Sequence, residues 1–240
     1  MMSKIKGFSL GGRLEWLVLI LVLSGVLLFR DVARSQGIFR PSHGQCSRHA
    51  NHHHRASQFL PAFADGPATS VVHVQPNFHM VTPGIWRSAK LNPESLKRMK
   101  TYGLKTIINL LSNEECEPWE DKVAKQMGIQ VYHFPLLGSK VAPSKTVDAV
   151  LSILEDPARQ PVLVHCAAGK DRSGMIIAAY RIAHTDWSFR NIFQEMMMYG
   201  YDTHLSAILQ SLRLWSTSRG RLETAQQIAL TEQKTAGEKK

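Results

Sequence analysis

Apolar positions run through this chain in three different ways. Near the N-terminus they form an almost unbroken block from Trp16 to Phe29. Across 36–69 they fall to scattered singles with no sustained period. From about residue 70 they return as short apolar bursts separated by longer amphipathic stretches, the pattern of strands alternating with helices.

In this last region each burst has its own punctuation. "VVHVQPNFHMVTPGIWRSA" predicts short strands around turn signals at Gln75-Pro76 and Pro83-Gly84. "NPESLKRMKTYG" predicts a helix with Asn92 as N-cap, Pro93 at its first position and Gly103 just past its end. The β-branched run "LKTIINLL" is a strand, Pro118 to Met127 a helix stopped by Gly128, and "IQVYHF" a further strand. "SKTVDAVLSILED" sets Val147, Val150, Leu151 and Leu154 at helical spacing. "PVLVH" is a strand, followed by helices from about Ser173 to His184, Trp187 to Met198 and His204 to Ser216. This order predicts an α/β fold, a mostly parallel central sheet flanked by helices, over residues 70–218. Residues 219–240 are a polar tail, at most a frayed helix. "PVLVH" is apolar throughout, as a central strand should be. In such sheets ligands bind beyond the carboxyl ends of the strands, which is where Cys166 lies.

The N-terminal block has Lys4, Lys6 and Arg13 before it and Arg30, Arg34 and Arg40 after it. A span needs ~20 apolar residues. Counting from Phe8 reaches that length if Arg13 and Glu15 snorkel to the interface. No small-residue cleavage pattern follows, since "FRDVARSQG" is bulky and charged. Residues 1–35 are therefore read as a single transmembrane helix with basic flanks, with a removed signal peptide as the alternative. Charge on both sides barely orients it, and the favoured topology places the folded domain outside the cytoplasm. Residues 36–69 are a His/Pro/Ser-rich linker. His49, His52, His53 and His54 with Cys46 are too closely clustered in an irregular tract for a closed tetrahedral site, so no metal is assigned.

Composition narrows the partners. The chain has 240 residues, is 44% hydrophobic and carries a formal net charge of +10. That size suits one domain with extensions, and that sign favours anionic ligands. No aromatic-basic face or RNA-binding motif accompanies the charge, so no nucleic-acid partner is expected. The three cysteines, Cys46, Cys116 and Cys166, match neither a zinc spacing nor a disulfide framework, and an odd count leaves at least one thiol outside any intrachain disulfide.

Chemistry concentrates after "PVLVH". Cys166 is followed by Ala167, Ala168 and Gly169, small residues that let the backbone close around an object. Arg172 stands six positions after the cysteine, and Ser173-Gly174 opens a helix. Such a loop can turn successive N–H groups inward as an anion nest at a positive helix end. Arg172 adds a planar fork suited to two phosphate oxygens. The same field favours the thiolate, which can attack phosphorus in line and form a phosphocysteine that water hydrolyses. A buried, inert cysteine is the plain alternative, but it accounts for neither the glycine nor the arginine nor the hydroxyl.

His165-Cys166 to Arg172-Ser173-Gly174 resembles the H-C-x5-R-[ST]-G signature of the cysteine-dependent protein phosphatases, and the order of elements resembles their dual-specificity branch. "VTPGIWRSAKLNPESLKRMKTYGLKTIINL" is similar to the opening of a bacterial-type, often membrane-anchored subgroup. The resemblance covers roughly residues 77–215. It implies Cys166 as nucleophile and Arg172 as the clamp on the phosphoryl group. Backbone amides of Ala167, Ala168, Gly169, Lys170 and their neighbours would cradle the phosphoryl oxygens. Ser173 would stabilise the departing thiolate and His165 would support the loop. It also implies that neither metal nor cofactor is needed.

In one place the pattern breaks. The loop that usually carries an aspartate general acid is here "PLLGSKVAPSK", which has no carboxylate. Asp148 lies inside the following helix. Asp171, within the phosphate loop, is the candidate acid, as in myotubularin-like relatives; a purely bracing role is its alternative, and Glu114, Glu115 and Glu117 are held in reserve. Phosphotyrosine, with phosphoserine or phosphothreonine, is the expected substrate. Lys170 makes phosphoinositides or inositol phosphates the alternative. A rhodanese-like sulfurtransferase is disfavoured by its shorter cysteine-to-arginine spacing, and a non-catalytic phosphate-binding module by the presence of both residues.

Overall fold

The computed structural model describes residues 75–237, and the N-terminal anchor and the whole linker expected from the sequence lie outside them. Five short strands form one sheet: β1 (His79–Thr82), β2 (Ile85–Ser88), β3 (Thr106–Asn109), β4 (Gln130–His133) and β5 (Val162–His165). Their order is β1-β2-β5-β3-β4. Only β1 runs antiparallel, folding back on β2 through the Pro83-Gly84 turn. β2, β5, β3 and β4 are mutually parallel. β5 is central, as its apolar run requires.

Period-two alternation sends successive residues to opposite faces. Ile85, Ile108, Val162 and Val164 pack into one core. Trp86, Ile107 and Leu163 pack into another. The second core is covered by α1 (Pro93–Thr101) and α2 (Pro118–Gln126), which contribute Leu96, Met99 and Ala124. The first is covered by α3 (Ser144–Leu154), α4 (Asp171–His184), α5 (Phe189–Met198) and α6 (Ser206–Ser218). α1 begins as the sequence predicts, with Asn92 accepting from the Ser95 N–H and the Ser95 hydroxyl accepting from the Asn92 N–H.

Several boundaries differ from expectation, α5 starting at Phe189 rather than Trp187 and α6 running from Ser206 to Ser218 rather than from His204 to Ser216. α4 starts at Asp171, before the expected Ser173, because the turn after Cys166 runs directly into helical geometry. The expected polar tail is, over Leu222–Gly237, a sixteen-residue helix, α7. It buries Ala225 and Ile228 on a narrow face, while Arg213 on α6 pairs with its Glu232 at 2.7 Å. A stripe that sparse leaves only a weak periodic signal in the sequence. Among the described residues no helix is long and apolar enough to cross a membrane.

Candidate functional site

Cys166 leaves the carboxyl end of β5 into a tight turn that closes on the N-terminus of α4. Gly169 makes the turn possible. Its φ is +69°, and a Cβ there would lie 2.5 Å from Ala89 N and Ser88 C, so the loop rests directly on the end of β2. Cys166 is buried at the base, 1% exposed, with Sγ 3.3 Å from the Ser173 hydroxyl.

The outward carbonyls of this loop are all held. The Lys90 N–H donates to Ala167 O at 3.1 Å and Asn77 Nδ2 to Ala168 O at 2.9 Å. Arg87 Nη2 donates to Gly169 O at 2.7 Å and to Lys170 O at 3.1 Å. In a trans peptide the N–H points opposite its C=O. Carbonyls turned outward therefore leave the amides of Ala168 to Asp171 facing the inside of the loop, above a positive helix end.

Arg172, predicted to reach the same space, is nearly buried. Its fork grips Glu115, with Nη1 2.5 Å from one carboxylate oxygen and Nη2 2.9 Å from the other. Nη1 also donates to Leu136 O at 3.0 Å. Partial burial works to raise the Glu115 carboxyl. The Arg172 and Ser112 hydrogen bonds and the Arg172 charge outweigh it and bring the pKa down to about 2. Glu115 is thus ionised near neutrality.

Asp171 sits at the first position of α4, and its Oδ1 accepts from the Asp202 N–H at 2.8 Å. Burial, aided by the Asp202 charge and opposed by that N–H, raises its carboxyl above the usual aspartate range. Lys170 is exposed at the rim, its stem against Gly200, where a Cβ would stand 3.2 Å from Lys170 Cδ and Cε. His165 is fully buried below the loop, with Nε2 3.3 Å from Glu120 Oε1. Burial works against ionisation of Glu120, but His165 and Asn109 hold its carboxyl below the usual range.

The remaining acids lie elsewhere. Asp148 accepts from Trp215 Nε1 at 2.8 Å and pairs with Arg219, on the face between α3 and α6. Glu117 pairs with Lys90 and Glu114 is exposed. Cys116 is disulfide-bonded, which leaves Cys166 as the free thiol among the described residues. Sequence reasoning missed Arg87, Glu120, Tyr199 and Asp202 as parts of this site. A signal existed only for Arg87, a charge inside the otherwise uncharged strand "IWRS".

Residues 72–217 match the profile described as "Tyrosine phosphatase family". An inositol diphosphatase of Arabidopsis thaliana is 32% identical over 126 residues, 50% of this chain and 60% of that protein. The dual specificity protein phosphatase TpbA of Pseudomonas aeruginosa is 24% identical over 141 residues, 59% of this chain and 60% of its own length. The chain thus spans about 60% of the length of these curated relatives. Among solved structures, the core catalytic domain of the PP-IP phosphatase SIW14 from S. cerevisiae, in complex with citrate, superposes with a TM-score of 0.54 at 28% identity, covering 65% of this chain and 96% of that one.

Proposed function

Because the chain belongs to the tyrosine phosphatase family, we propose that it hydrolyses phosphomonoesters through a phosphocysteine formed on Cys166. The observation that carries this reading is the closed loop itself. Cys166 lies at the bottom of a ring of inward amides, with the Ser173 hydroxyl 3.3 Å from its sulfur and Arg172 nearly buried in the first turn of α4. The amides and the helix end bind the phosphoryl oxygens, and the thiolate attacks phosphorus opposite the leaving oxygen. Glu115 takes the Nη1–Nη2 end of Arg172, so the Nε–Nη2 edge is the one that meets phosphate. Water then displaces the sulfur from phosphorus, and Ser173 donates to the departing thiolate.

Asp171 protonates the leaving oxygen in this reading. One of its oxygens accepts from Asp202, and burial favours a proton on its carboxyl at higher pH than an exposed aspartate would keep. Asp171→Asn then slows phosphotyrosine hydrolysis by ~10²–10⁴-fold while sparing an activated aryl phosphate. Equal loss on both substrates assigns Asp171 to bracing alone. The decisive test of the whole reading is turnover of an aryl phosphate with and without vanadate. Cys166→Ser abolishes turnover and keeps phosphate binding; residual turnover in that variant overturns the phosphocysteine.

Phosphotyrosine needs no assumption beyond this loop. Inositol phosphates are the second reading, supported by the exposed Lys170 at the rim and by relatives named as inositol diphosphatases. Parallel specificity constants for a phosphotyrosine peptide and an inositol pyrophosphate decide between them. The apolar run within residues 8–29 holds the domain at a membrane in the same proposal; release of the full chain by alkaline carbonate would count against it.

A further inference from the structure

Arg87 is the most deeply buried charge near the loop, 1% exposed in a four-residue strand. Its register partner on β5 is Val164, two residues before Cys166, and it points to the face covered by α4. A guanidinium in such a place loses its hydration, a loss that must be offset locally. Burial accordingly works against its charge, while Cys166, Glu195, Tyr199 and Asp171 act to keep it. Glu195, however, is committed to Arg181 at 2.9 Å, and Asp171 to the Asp202 N–H. What Arg87 does touch is the phosphate loop, through Gly169 O and Lys170 O. Its guanidinium also lies 4.8 Å from the centroid of the Tyr199 ring, which His79 covers with ring centroids 4.0 Å apart.

We propose that Arg87 is a positioning residue for the phosphate loop: from outside the ring it holds the Gly169 and Lys170 carbonyls outward, so that the adjoining amides face the anion, and it sets a buried positive charge behind Cys166. This rests on the loop being a phosphate site. Arg87 never touches the substrate; it acts through the loop backbone and through its field. A permanently charged, planar group suits that task, because it cannot lose its proton when desolvated and its donors keep a fixed direction. Gly174 is part of the same fit, since a Cβ there would stand 3.3 Å from Arg87 Nη2.

Three variants of the full chain test this: Arg87→Met, Arg87→Lys and Tyr199→Ala. The readouts are the pH midpoint of Cys166 alkylation by iodoacetamide, followed by mass spectrometry, vanadate affinity, and kcat and KM on an aryl phosphate. Arg172 is the other cation acting on Cys166, Glu115 and Asp171 act on Arg172, and Glu195, Tyr199 and Asp171 act on Arg87, and all of them stay in the Arg87 variants. Arg87→Met raises the midpoint by about one pH unit or more, the scale of one nearby charge in a protein interior. It weakens vanadate roughly tenfold or more and lowers kcat further than it raises KM. Arg87→Lys recovers most of the midpoint but not the vanadate affinity, because its ammonium brings charge without the directed contact to both carbonyls. Tyr199→Ala admits water to the guanidinium and moves the midpoint the same way by less. Variants that melt earlier yet keep the wild-type midpoint and vanadate affinity overturn the proposal and leave Arg87 a packing residue. If the Arg87 variants do not fold, an unmoved midpoint in Tyr199→Ala overturns it. Failure of the phosphatase reading is distinguishable, because the wild-type chain itself then neither binds vanadate nor turns over the aryl phosphate.

Discussion

At the scale of single residues, the site depends on charges that hold other groups still. Glu115 fixes the end of the Arg172 fork, and its carboxyl, brought down to about 2, remains ionised wherever the protein is folded near neutrality. Glu115→Gln keeps the shape but removes the charge from a charge-assisted pair. Turnover of an aryl phosphate is expected to fall roughly tenfold, and the melting temperature should fall with it, because the nearly buried Arg172 loses its ionic partner. His79 supplies a pH effect of definite sign. Burial first, and the Arg87 charge second, lower its pKa from 6.5 to about 4. The folded state therefore resists protonation that the unfolded chain accepts. The resulting contribution to stability is present above about pH 6.5 and is lost as pH falls toward 4. His79→Phe keeps a ring against Tyr199, and its urea midpoint should vary less between those two pH values than the wild-type midpoint does. An identical pH dependence in both proteins would remove His79 as the source.

At the scale of elements, the loop is shaped by what lies beside it as much as by its own residues. Gly169 combines a left-handed φ with a contact that has no room for a methyl group, and the obstructing atoms are backbone rather than a movable side chain. Gly169→Ala must displace the loop from β2, and with it the carbonyl contacts of Arg87. Vanadate binding should drop by at least ~100-fold, in line with what misplaced catalytic geometry costs, even if circular dichroism finds the fold intact. The α1 cap gives the contrasting case. Asn92→Ala breaks the capping box and should lower stability by ~1 kcal/mol. It should leave kcat unchanged, since α1 packs on the face of the sheet opposite α4. A matching fall in kcat would mean that the two faces are coupled.

At the scale of the whole molecule, α7 is where the domain extends past its expected end. Ile228 is fully buried in the core cluster that also holds Trp215 and Cys166. Truncation after Gly220 removes this side chain, worth ~1.5–3 kcal/mol of burial, together with the Arg213–Glu232 pair. The melting temperature should fall by several degrees while the activity of the fraction still folded is retained. A truncated chain as stable as the full one would make α7 dispensable. The same scale separates what the sequence determined from what needed tertiary structure. The succession of strands and helices, the α1 cap, the central place of β5 and the Cys166–Arg172–Ser173 constellation were all legible. Hydrophobic period, capping and loop chemistry act between residues a few positions apart, so the order of residues already contains them. α7 was not legible, because only a narrow stripe of it is buried and a stripe has no meaning until something packs on it. The partners of the loop were not legible for a stronger reason. Glu115 meets Arg172 across a separation of 57 positions, and Arg87 meets Gly169 across 82. Nothing local marks one acid among several, or one arginine among many, as the one that the sheet will carry to the loop. That choice belongs to the strand order β2-β5-β3, which sets the carboxyl ends of three strands side by side and brings their polar residues within hydrogen-bonding reach.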